Sequence, residues 1–126
     1  MTRVLALFTA FLATAAPLRA QQAPPATPPT TQVLATLTVN AGVDRAAITK
    51  VMPNEVRDTV KLYLDGKIQQ WYSRSDGRGV VFILNATSVA DAKALTDTLP
   101  LVKANLVTFD YMPLGPLGPL RMLLQP

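Results

Sequence analysis

An α+β domain, one four-stranded antiparallel sheet with two helices on one face, is what this sequence predicts, and three observations carry the prediction. Segments rich in β-branched and aromatic residues alternate with segments whose apolar residues recur every three or four positions. They come in the order strand, helix, strand, strand, helix, strand. Turn and stop signals fall between them, at Asn40-Ala41-Gly42, Gly66, Asp76-Gly77 and Pro100.

The first strand is Val33 to Val39, with Val33, Leu34, Leu37 and Val39 among threonines. Asp44 can cap the helix that follows. Its apolar positions Ile48, Met52, Val56, Val60 and Tyr63/Leu64 share one stripe, and Gly66 stops it. Pro53 deletes one helical hydrogen bond, so a kink or break is expected near Met52, with the longer half running from Asn54 to Asp65. Lys67 to Arg74 and Val80 to Leu84 form a hairpin around Asp76-Gly77. The second of these strands is apolar throughout, which predicts cover on both of its faces. Ser88 and Asp91 form a capping box for a helix with Val89, Ala92, Leu95 and Leu99 on its stripe, closed by Pro100. Asn105 to Met112 is the last strand, with Val107, Phe109 and Tyr111 on one side and Leu106, Thr108, Asp110 and Met112 on the other.

Around the domain, residues 33–113, lie three segments of different composition. Residues 1–20 read as a secretory signal: Arg3 precedes an apolar run from Val4 to Ala16 that is too short to span a bilayer, with cleavage expected after Ala15 or, preferably, after Ala20. Residues 21–32 are a Pro/Thr-rich spacer whose prolines oppose packing and pairing. Residues 114–126 are a Pro-Leu-Gly arm, whose leucines call for burial across the domain or a partner. Periplasmic or secreted location follows from the leader, with no membrane attachment once it is removed.

Composition excludes more than it proposes. The 126 residues carry a net charge of +4, but Arg3 and Arg19 lie in the leader, leaving ten basic against eight acidic residues, scattered singly. That is no basis for nucleic-acid binding. Without cysteine or histidine there is no disulfide, thiolate nucleophile, imidazole base or soft metal ligand, so no metal and no cofactor is expected.

From Tyr63 onward three pieces carry a family likeness: Leu62-Tyr63 before Gly66-Lys67-Ile68, the segment Ser88 to Ala94 ahead of Leu99-Pro100-Leu101-Val102, and Met112-Pro113-Leu114-Gly115-Pro116-Leu117. In these the chain resembles the muconolactone isomerase-like branch of the dimeric α+β barrel superfamily, over residues 32–124. The resemblance implies a ferredoxin-like βαββαβ monomer that pairs sheet to sheet as a homodimer or higher homo-oligomer. It also implies a cavity between sheet and helices, or inside the barrel, for a small apolar or cyclic ligand. The pairing has a physical motive, because two helices cannot cover both faces of a sheet.

Two function classes follow. One is a small-molecule-binding dimer without catalysis. The other is a cofactor-free isomerase or oxygenase that moves a proton on a lactone- or quinol-like substrate, for which a carboxylate base and a phenol donor are needed. A third class, a protein-interaction module, would use the Pro-Leu-Gly arm. Asp110 and Glu55 are the candidate catalytic acids. Asp110 stands out in an otherwise apolar and Thr strand, with an edge aspartate paired to a cation as the plainer reading. Glu55, the only glutamate, reads more readily as a solvated residue beside Pro53. Tyr63, Trp71, Tyr72, Arg74 and Tyr111 are the candidate substrate-binding residues, the aromatics also serving as core or interface and Arg74, with Arg78, as a solvated hairpin tip.

Overall fold

The computed structural model describes residues 27–124. The expected leader and the first half of the spacer, residues 21–26, lie outside the described residues, and the last residue of the spacer, Gln32, belongs to a strand. The elements are β1 (Gln32–Val39), α1 (Arg45–Leu64), β2 (Ile68–Ser73), β3 (Val80–Leu84), α2 (Val89–Thr96), α3 (Pro100–Lys103), β4 (Val107–Leu114) and a 3₁₀ segment, Gly118–Leu124. The strands form one antiparallel sheet in the order β2-β3-β1-β4. This α+β arrangement is compatible with a ferredoxin-like fold.

Alternation sets the two faces. Val33, Ala35 and Leu37 of β1 point into the core with Phe82 and Leu84 of β3 and Val107 and Phe109 of β4, under Ala92, Leu99 and Leu101 from the helical side. Ala35 stands in register with both Phe82 and Tyr111, and its small side chain leaves room for the aromatic row in which Phe82 and Phe109 meet at 5.7 Å between ring centroids. The far face carries Leu34 opposite Ile83 and Met112, and Thr36 opposite Val81 and Asp110. Among the described residues no helix covers this face, so β3, expected to be covered on both sides, has Phe82 and Leu84 buried while Val81 and Ile83 are only half-buried.

The caps work as the sequence implies. Asp44 Oδ1 accepts from Ala46 N at 3.2 Å, and Ser88 Oγ accepts from Asp91 N at 3.0 Å. Gly66, at φ +70°, closes α1 with paired bonds, Lys67 N to Leu62 O and Gly66 N to Tyr63 O.

Four expectations need correction. The helix does not break at Pro53: α1 is a single element of 20 residues. Proline removes only the bond to the Thr49 carbonyl, and Thr49 is exposed, so water can serve that oxygen. The second helix is instead two. α2 ends at Thr96, and Pro100 starts α3, where its fixed φ and missing N–H suit the first helical position. Leu99 is therefore the residue before α3, fully buried, and not part of a helical stripe. β4 begins at Val107, because Asn105 adopts φ +56° to end α3, with Leu106 N bonded to Leu101 O. The strand also runs on through Pro113 to Leu114, which an edge position allows. Finally, the arm does not bury its leucines on its own domain: Leu117, Leu120, Leu123 and Leu124 are all exposed.

Candidate functional site

α1 is the unusual element. An amphipathic helix on a sheet normally buries its apolar stripe, yet the one buried side chain of α1 is Glu55, 6% exposed, while Met52, Val56 (53%) and Val60 remain open. The helix rests on α3 and β2. Beneath the rest of it lies a cavity of about 960 Å³, walled by α1, the Leu37–Val39 end of β1, Trp71 of β2, the hairpin and the start of β3. Its lining is mostly apolar, and its charged members are Arg45, Glu55 and Arg78.

Two backbone features shape this space. Gly79, at φ +140°, sits so close to β1 that a Cβ would lie 2.5 Å from the Leu37 carbonyl oxygen, so only glycine lets the hairpin close the cavity wall. A register shift between Ile68 and Gln70 then inverts the rest of β2. After it Trp71 pairs with Phe82 and Tyr72 with Val81, and both residues line the cavity. Tyr63 stacks on Trp71, with ring centroids 4.4 Å apart and planes at 18°.

Glu55 has a structural task. Its Oε2 accepts from Leu101 N at 2.8 Å, in the first turn of α3, where Leu99 offers no side-chain cap. A carboxylate from α1 thus does the work of an N-cap for α3 and ties the two helices together. Burial pushes its pKa above the ordinary value; the Leu101 N–H opposes that shift, and Asp58 adds slightly to it. The expectation of a solvated Glu55 is therefore overturned, because the helix turns this position toward Leu101 and the cavity.

The structure separates the other candidates. Asp110 lies on the far face of the edge strand, exposed, and among the described residues it forms no ion pair. It is on the opposite side of the sheet from Glu55, and the two cannot act on one small substrate. Tyr111 is half-buried under α2, where its hydroxyl meets Thr96 Oγ1 at 2.6 Å. Tyr72 donates to Gln70 Oε1 at 3.0 Å. Arg74 is bound to Asp76 at 2.5 Å, and Asp76 also accepts from Arg78 N; that backbone bond first and the Arg74 guanidinium second hold the Asp76 carboxyl below its ordinary pKa. Of the five expected substrate-binding residues, Trp71 and Tyr72 line the cavity, and Tyr63 stacks on Trp71.

Arg45, Met52, Val56 and Phe82 were not legible as site residues, since a stripe on α1 and an apolar β3 read equally well as closed core. Among the described residues no three acidic groups converge as a metal site, and no helix is long and apolar enough to cross a membrane. No protein-family model matches the chain, and no curated protein matches it in sequence.

Proposed function

We propose that this domain is a small-molecule-binding module of the muconolactone isomerase-like kind, exported and working as a pair, whose ligand occupies the cavity between α1 and the sheet. The observation that carries the reading is the open apolar stripe of α1: Met52, Val56 and Val60 face a space of ligand size instead of a packed core. An exposed apolar stripe costs stability unless something fills it. The pairing is supported by the half-buried Leu34, Val81 and Ile83 and the exposed Met112 on the far face, and by the exposed leucines of the arm.

Trp71, the only tryptophan, lines the cavity and supplies the test. Native mass spectrometry of the purified chain should reveal a co-purifying organic molecule, and its removal and return should shift Trp71 emission. A chain that carries nothing, and whose emission no apolar compound alters, refutes the proposal.

One observation favours a catalytic version. Glu55 is a carboxylate of raised pKa at the cavity wall, the property a base near neutral pH requires. In that version Glu55 takes a proton from a lactone- or quinol-like substrate, and Asp110 takes no part. Glu55→Gln should then abolish turnover across a panel of such compounds; turnover that survives, or is absent from the parent chain, ends it.

A further inference from the structure

Building on the reading of this cavity as a ligand site, we infer that its ligand is an elongated amphipathic organic acid, its carboxylate held at the mouth by Arg45 and Arg78 and its apolar body running beneath α1. Three observations converge on this. The first is charge. Of the three charged residues lining the cavity, two are arginines, and among the described residues neither has a carboxylate within ion-pair distance. The neighbouring acids have other principal partners: Asp44 caps α1 through Ala46 N, and Asp76 holds the Arg74 guanidinium while accepting from the backbone N–H of Arg78. Arginines free of a protein carboxylate beside an apolar wall are a matched site for an organic anion.

The second is placement. Arg45 opens α1, Arg78 sits in the hairpin, and the hairpin's Gly79 packs against Leu37 near the end of β1 that leads to α1. Both arginines therefore stand at the same end of the cavity. The third is length. Glu55 is ten residues further along α1, a rise of about 15 Å, and Met52 and Val56 line the way. A single ring would leave most of that apolar wall uncovered, whereas an alkyl chain or fused rings ending in a carboxylate would cover it. Charge at one end and an apolar stripe along the rest set the ligand's chemistry and its direction.

Decanoate, decanol and benzoate distinguish the elements of this inference when each is titrated into the full chain with Trp71 emission as readout. Decanoate should bind about tenfold or more tightly than decanol, the increment expected of charge-assisted bonds to guanidinium, and also tighter than benzoate. The double variant Arg45→Gln/Arg78→Gln should lose the preference for the acid while keeping the affinity for decanol; both positions are exposed, so the fold is spared. Val56→Phe, which narrows the cavity without adding a second tryptophan, should weaken acid and alcohol alike. Equal binding of decanol and decanoate, or a preference that survives in the double variant, overturns the inference while leaving the cavity a ligand site. Benzoate binding as tightly as decanoate refutes the elongated ligand. If none of the three perturbs Trp71, or Val56→Phe leaves binding unchanged, the cavity itself is not the site.

Discussion

Replacing Glu55 by alanine and by glutamine separates what this residue does for the fold from what it does in the cavity. Alanine removes the acceptor for Leu101 N, and Leu101 is 3% exposed, so the orphaned N–H has little access to water. An unsatisfied buried donor costs about 1–3 kcal/mol. For a domain of this size each kcal/mol moves Tm by about 4–8 °C, so Glu55→Ala should melt roughly 5–20 °C below the parent. Glutamine keeps an oxygen for Leu101 N and sheds the buried charge. The pH dependence fixes the sign. Burial holds the folded-state pKa of Glu55 above its unfolded value, so native Glu55 resists ionisation. Below the unfolded pKa both states are protonated and nothing is lost; as pH rises through the folded pKa the protonated form is given up and stability falls to a plateau. The advantage of Glu55→Gln over the parent should therefore grow from mildly acidic pH to neutral and then level off. Calorimetry across that range checks it. If Glu55→Ala melts with the parent, the cap contributes nothing; if the glutamine variant tracks the parent at every pH, the carboxylate is not raised.

Three further outcomes follow from the geometry. Gly79→Ala should cost about 2–3 kcal/mol or more in urea unfolding, because its Cβ would meet the Leu37 carbonyl and its φ is unfavourable to any L side chain; a cost within about 0.5 kcal/mol would mean that the hairpin does not close on β1 as described. Tyr111→Phe should cost about 1 kcal/mol through loss of the bond to Thr96 Oγ1 without altering any ligand response of Trp71, since Tyr111 lies under α2; a changed response would place it in the site after all. Ile83→Asp puts a charge at the centre of the far face, next to Leu34. If two copies pair through that face, sedimentation should show the variant as a single chain at concentrations where the parent is a pair, and a parent that is itself a single chain removes the pairing proposal.

Elements defined by local chemistry were legible in the sequence, and elements defined by how two surfaces meet were not. The caps at Asp44 and Ser88, the stop at Gly66 and the turn at Gly77 each depend on a few neighbouring residues, and each stands where the residue types put it. Boundaries failed where one residue has two uses: Pro100, read as the end of a helix, is the start of α3, and Asn105, read as the first residue of a strand, is the left-handed end of that helix. The site was harder still. Trp71 and Tyr72 are adjacent and alike in sequence and both line the cavity, yet only the bulge before Gln70 puts Trp71, and not Tyr72, in register with Phe82. No residue type at Gln69 announces that bulge.

Glu55 shows the deeper reason. On the sequence it is one polar position beside Pro53, and a single glutamate at a helix surface carries no mark of burial. What buries it is Leu101, 46 positions away, presenting an N–H that Leu99 cannot cap. The bond that draws Glu55 down onto α3 also fixes one side of α1, while β2 supports it near its far end. A helix held at these points packs Ile48, Val51 and Leu62 against the core while Met52, Val56 and Val60 line the cavity. On this argument the cap and the cavity share one cause, so weakening the Glu55–Leu101 bond should loosen the space beneath α1 before it unfolds the sheet. Hydrogen exchange in Glu55→Ala should accordingly rise in α1 and α3 while the β1–β3 ladder keeps its protection; uniform loss of protection across all of these would mean that α1 is not held in this way.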